Sequence, residues 1–369
     1  MSGRFPAVGV LAAVIAIATL ATVPAAGQAL PDAAKATDAA KVTARAAKPG
    51  PSTAQPRNLP RTPWGDPDLQ GIWLSNSAAP LERPKALEGR QFLTDEEVTE
   101  LKKRAARLFD PSGTSDFGAG DTVFLAALTN PEVYKSANHT TGGALEMIER
   151  EFDNRTSLIV DPPDGRIPAL TPEARQEQAV VQAAGRLPPA GPEDLSNALR
   201  CITFGVPRLG GNFGVGIYGY YQIVQAPDVV VLISEEIHDA RIIPLDGRPH
   251  LPQSVRQWNG DSRGRWEGRT LIVDTTNFSA RSNFMGSAEN LHLVERFTRV
   301  APDTINYEIA LSDSTTWTKP WSAVIHLRQT QDKIYEYACH EGNYDVMHGM
   351  LAWARAEEKA ADEAAKNGK

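Results

Sequence analysis

From about Tyr218 onward, short runs of β-branched and aromatic residues alternate with turn-forming residues. YYQIVQAPDVVVLISEE is two such runs about Ala-Pro-Asp and predicts a hairpin. ARIIPL adds a strand, and SRGRWEGRTLIVDTTNF predicts two more joined at Trp266–Arg269. LHLVERFTRVAPDTINYEIALSD predicts a hairpin turning at Ala301–Thr304. WSAVIHLRQTQDKIYEYACHEGN predicts another, turning near Gln331 and Asp332. Hairpins in series with no long helix between them make a mainly β fold over 211–355, an antiparallel meander closing into a barrel or a curved sheet. The charged stretch 356–369 has no apolar face and is expected to be a frayed helical tail.

The first half has a different pattern. Arg4, an apolar run from Val8 to Val23 and the small residues of 24–29 have the layout of an export leader over 1–29. A membrane anchor is the alternative, but the run is short for a span and ends in Pro and Ala. No second run is long enough to span, so no stable membrane segment is expected after cleavage. Residues 30–62 are rich in Ala, Pro, Lys and Thr and form a tether. An irregular, partly helical portion over 63–210 then packs on the β half. Its clearest element begins at Leu93, where Thr94 and Glu97 form a capping box and Val98, Leu101, Ala105 and Leu108 recur at helical spacing. A short strand, a Pro-Pro-Asp-Gly turn and a helix opening at Thr171-Pro172 follow; GGALEMIEREF suggests one or two helical turns.

The net charge of −7 over 369 residues lacks the basic footprint of a nucleic-acid binder. Cys201 and Cys339 are the only cysteines. In an exported chain they are expected to pair. A catalytic thiol at Cys339, beside His340 and Glu341, is the rival reading, and no CxxC spacing supports a thiolate metal site.

Candidate chemistry concentrates in His238–Phe278, where Arg, Asp, His and Trp crowd turn-rich surroundings. Arg248 and His250 in LDGRPH lead as a substrate-binding and a catalytic group, followed by Asp261 and Arg263. Some of these arginines will brace neighbouring acids; one or two left over suffice to hold a carboxylate. In HLVER, strand alternation puts His292 and Arg296 on one face and Glu295 on the other. Whichever faces inward supplies either Glu295 as a general acid or base, or His292 with Arg296 as cavity groups. A structural Glu–Arg pair is the plain alternative. Tyr307 and Tyr337 are phenols available to the same interior. No HxH or HExxH spacing, nucleophile elbow, P-loop or dinucleotide fingerprint is present, so no cofactor is expected; a divalent metal on converging histidines stays open. RLGGNFGVGIYGYY precedes strands rather than a helix and suits a loop over a cavity mouth.

PWGDPDLQGIW, IVDPPDGRIPALTP, HDARIIPLDGRPH, GDSRGRWEGRTLIVDTTNF, LHLVERFTRVAPDTINYEI and IYEYACHEGNY resemble a large family of exported bacterial proteins, many of unassigned function. The resemblance covers Pro63 to about Arg355. It implies a periplasmic or secreted protein with a lipocalin-like β-barrel portion, and carries over no catalytic residues. The expectation is an exported, cofactor-independent enzyme acting on a small organic, conceivably aromatic, acid as a lyase or decarboxylase. A lipocalin-like carrier using the same cavity without chemistry is the alternative.

Overall fold

The computed structural model describes residues 59–108, 124, 127–128, 151–184, 189, 191–207 and 219–367. The expected leader over 1–29, most of the expected tether, most of GGALEMIEREF and the glycine-rich stretch 208–218 lie outside the described residues.

One antiparallel sheet of ten strands dominates. Its strands are β1 (Gly71–Leu74), β2 (Ile159–Asp161), β3 (Tyr220–Ala226), β4 (Val229–Ser234) and β5 (Ala240–Pro244), then β6 (Asp261–Glu267), β7 (Thr270–Thr276), β8 (His292–Ala301), β9 (Thr304–Ser312) and β10 (Trp321–Thr330). They run β5-β4-β3-β1-β10-β9-β8-β7-β6, with β2 also on β10. Each hairpin joins strands of matched alternation, so one face of every pair is apolar. In β8 the buried set is Leu293, Glu295, Phe297 and Arg299. The β6–β7 turn passes through Gly268 at φ +62°, a conformation glycine adopts without steric penalty.

The sheet is not closed. Its ends, β5 and β6, share no ladder of backbone hydrogen bonds, yet they lie against each other through side chains. Gly264 of β6 makes this approach possible: a Cβ there would stand 2.5 Å from Leu245 Cδ2 and 2.8 Å from Ile243 Cγ2. The expected barrel is thus an open sheet whose edges meet at a seam packed by side chains.

Inside lies the main core, including Trp73, Ile223, Leu271, Ile305, Trp317 and Trp321. Trp73 donates its indole N–H to the Leu69 carbonyl at 2.8 Å, so its one polar atom is satisfied in the interior. A second cluster gathers Leu87, Leu93, Phe124 and Phe152 around α1 (Asp95–Leu108). The expected capping box begins α1: the Glu97 N–H donates to Thr94 Oγ1 at 3.2 Å, and the Thr94 N–H donates to Glu97 Oε2 at 2.8 Å. Thr171 caps α2 (Pro172–Ala184) in the same manner, accepting from the Ala174 N–H.

The hairpin expected after β10 does not form. Residues 331–338 pair with no strand, and α3 (Cys339–Asn367) follows, absorbing the expected tail into a longer helix. IYEYA has strand-like alternation, but β10 is flanked by β9 on one side and by β1 and β2 on the other. With both edges taken, a returning strand has no ladder to join. Thr62, within the expected tether, is buried and donates its N–H to the Asp66 carbonyl at 2.9 Å. Among the described residues, no helix is long and apolar enough to cross a membrane.

Candidate functional site

Of the two faces open to β8, Glu295 takes the inner one, with 1% of its surface exposed. Its Oε1 accepts from the Tyr307 hydroxyl at 2.6 Å and from Arg241 Nη1 at 3.1 Å; its Oε2 accepts from Arg241 Nη2 at 2.6 Å. Tyr307 reaches Glu295 diagonally from β9, where it pairs with Phe297 and stacks on its ring at 4.5 Å between centroids. Arg241 arrives from β5, across the seam. Its Nη2 also donates to Ser262 Oγ on β6 at 3.0 Å and Thr275 Oγ1 on β7 at 3.2 Å, and those hydroxyls lie 2.9 Å apart. The buried carboxylate is therefore matched by a fork of donors, the condition under which a buried ion pair is tolerated. Burial works against the Arg241 charge, but Glu295 outweighs it and raises the guanidinium pKa above its usual value. Burial, reinforced by the charge of Glu295, pushes the Tyr307 phenol well above 10, so Tyr307 keeps its proton.

These three residues border a concavity of about 580 Å³, counting the part open to solvent. Ile223, Leu232, Phe297 and Leu327 make apolar walls, and Ser234, Glu236 and Asp239 add polar groups. Phe204 and Val206 also line it. Their segment is tied down in three ways. The Thr203 hydroxyl contacts Asp239 Oδ2 at 2.7 Å and Asn259 Oδ1 at 2.8 Å. Phe204 meets Tyr337 edge-on at 6.2 Å between centroids. Cys201 is disulfide-bonded to Cys339, which excludes the catalytic-thiol and thiolate-metal readings of Cys339 in this state.

The other predicted residues gather on the opposite face of the sheet. His250, in the β5–β6 connection, has Nδ1 2.9 Å from Asp261 Oδ2 and Nε2 3.2 Å from Asp274 Oδ1. His292 Nε2 is 3.1 Å from that same Asp274 oxygen, and Arg263 Nη1 is 2.7 Å from Asp261 Oδ1. Carboxylate oxygens only accept, so His250 donates to both partners when each ring nitrogen carries a proton. The hydrogen bond to Asp274 raises the His292 pKa. Burial favours neutral Asp274, but His292 and His250 outweigh it and hold its carboxyl below the usual range. Among the described residues, no group of three His, Cys, Asp or Glu is arranged to hold a metal ion.

The structure thus splits the predicted set. Glu295 and Tyr307 meet at the pocket; Asp261, Arg263, His250 and His292 meet outside it. Arg248 joins neither group: it is exposed and forks onto Asp246. Arg296 points outward, 3.6 Å from Glu267, and Tyr337 lies edge-on to Phe204 of the pocket lining. Sequence reasoning passed over Arg241 and Ser234 as site residues. Arg241 carried a signal: it shares a strand face with Ile243, which is fully buried, and a guanidinium on an apolar face needs a buried partner. Ser234 carried none, because a serine at a strand end is ordinary. No protein-family model matches the chain, and no curated protein matches it.

Proposed function

We propose that the protein is an exported, cofactor-independent enzyme that binds a small aromatic or largely apolar organic acid in this pocket and acts on it as a lyase, decarboxylation being the concrete form. The observation that carries the reading is the buried Glu295 carboxyl, 2.6 Å from the Tyr307 hydroxyl at the wall of an apolar concavity, positioned to hand a proton to a bound molecule. The substrate carboxylate takes the donors Tyr307 and Arg241 in place of Glu295. Glu295, protonated from solvent, delivers that proton to the carbon bearing the carboxylate. The carbon–carboxyl bond breaks, its electron pair becomes the new C–H bond, and CO2 leaves. No oxidant or reductant is consumed. Export is supported by the Cys201–Cys339 disulfide together with the leader-like first residues.

A carrier without chemistry is the second reading, favoured by one feature: both oxygens of Glu295 are already engaged by Arg241 and Tyr307. Incubation of the purified protein with a panel of aromatic carboxylic acids in D2O separates the two. The enzyme reading expects CO2 and a product with one deuterium at the former carboxyl carbon, lost in Glu295→Gln while binding persists. Acids that bind and return unchanged, across the panel, establish the carrier instead.

A further inference from the structure

On the pocket wall, Ser234 Oγ and Arg241 Nε make no hydrogen bond among the described residues. Ser234 is 9% exposed, and burying a polar atom without a hydrogen bond destabilises the fold. Such atoms are rare in folded proteins and call for an explanation. Both sit on neighbouring strands. Ser234 of β4 lies opposite Tyr221 of β3, while Arg241 of β5 lies opposite Leu232, two residues before Ser234. Leu232, Ser234 and Arg241 all line the concavity. Of the acceptors on this wall, Glu295 takes Arg241 and Tyr307, Asp239 Oδ2 faces the Thr203 hydroxyl, and the buried Glu236 carboxylate reaches neither Ser234 Oγ nor Arg241 Nε. A serine hydroxyl can donate or accept, whereas the Arg241 Nε–H can only donate. An acceptor oxygen on a bound molecule would serve both of these atoms.

We infer that Ser234 is a specificity-determining residue, its hydroxyl donating to an oxygen of the bound molecule, with the Arg241 Nε–H as the second donor left over on the same wall. The inference rests on reading the concavity as a small-molecule site and adds a requirement to it: an aromatic or apolar body bearing an acceptor oxygen, either a carboxylate or a neutral carbonyl. It also requires Ser234 to affect stability and binding in opposite directions. In the empty protein its hydroxyl is a liability, so replacement by alanine relieves it; in the complex the same replacement removes a hydrogen bond. A serine that served the fold would move both quantities the same way.

The test compares wild type with Ser234→Ala in the full chain, using toluene, acetophenone and benzoate as probes by calorimetry and ligand-observed NMR. The expected result is a melting temperature unchanged or raised in Ser234→Ala. Acetophenone and benzoate bind about 5–10-fold more weakly to that variant, and toluene equally well. Acetophenone against benzoate tells a carbonyl from a carboxylate. A lowered melting temperature, or equal loss for all three probes, overturns the inference. If toluene binds wild type and the oxygen-bearing probes bind no tighter, the inference fails while the pocket reading stands. If no probe binds, the pocket reading fails and takes the inference with it.

Discussion

Arg241 and Glu295 form a two-pronged ion pair that spans the open seam of the sheet, one from the edge strand β5 and the other from β8, two strands in from the opposite edge. The pair joins edges that no backbone ladder joins, and it does so at the wall of the pocket. The same contact therefore bears on stability and on chemistry. Removing either partner leaves a buried charge unmatched, and Arg241→Met or Glu295→Leu is expected to cost about 3–5 kcal/mol in urea unfolding. The double variant Arg241→Met/Glu295→Leu should recover most of that loss, because no charge remains to be satisfied. Additive losses in this cycle would show that the two residues act independently.

The seam also depends on the missing side chain at Gly264. Gly264→Val places atoms where Leu245 and Ile243 already lie and is expected to destabilise by about 1–3 kcal/mol. Adding Leu245→Ala should return part of this, since it removes the nearer obstacle. Chemical denaturation of the single and double variants reads the difference; a Gly264→Val protein as stable as wild type would mean that the two edges do not touch in solution.

Cys201 and Cys339 are 138 residues apart, and a cross-link closing so long a loop is worth about 5 kcal/mol on chain-entropy grounds. Thermal unfolding with and without reductant should show a large drop in melting temperature, and Cys201→Ser/Cys339→Ser should match the reduced protein. Because the bond lies next to Phe204 and Tyr337, quenching of intrinsic fluorescence by added acrylamide should increase on reduction.

His292 and Asp274 set a pH window. The His292 pKa is raised in the folded chain, so its contribution is complete below about pH 6.5, the usual histidine value, and fades as pH rises through the folded value. The Asp274 pKa is lowered, so its contribution is complete above about pH 4 and fades as pH falls through the folded value. The stability difference between wild type and His292→Gln should therefore be greatest between those limits and shrink on both sides. A difference independent of pH would mean that the two side chains do not interact in solution.

Much of the fold is written locally. Alternation in β8 and β9, the Ala301–Thr304 turn, the Glu267–Thr270 turn and the Thr94–Glu97 capping box involve residues close in sequence, and the structure forms each of them. The cysteine pairing followed from having two sulfurs and first residues patterned like an export leader. Alternation also divided the β8 residues correctly into His292 with Arg296 and Glu295 with Phe297, without saying which set faced in.

Tertiary structure decided that question. Glu295 faces in because Arg241 comes from 54 residues away to meet it, a pairing that no local pattern encodes. It also decided that IYEYA, strand-like by alternation, stays unpaired, since the sheet filled both edges of β10 with β1, β2 and β9. Side-chain period and turn chemistry are properties of neighbours along the chain, so the sequence alone determined the strands, caps and faces. Edge occupancy, the seam and the partner of a buried charge depend on segments far apart in sequence, and only the folded chain brings those together.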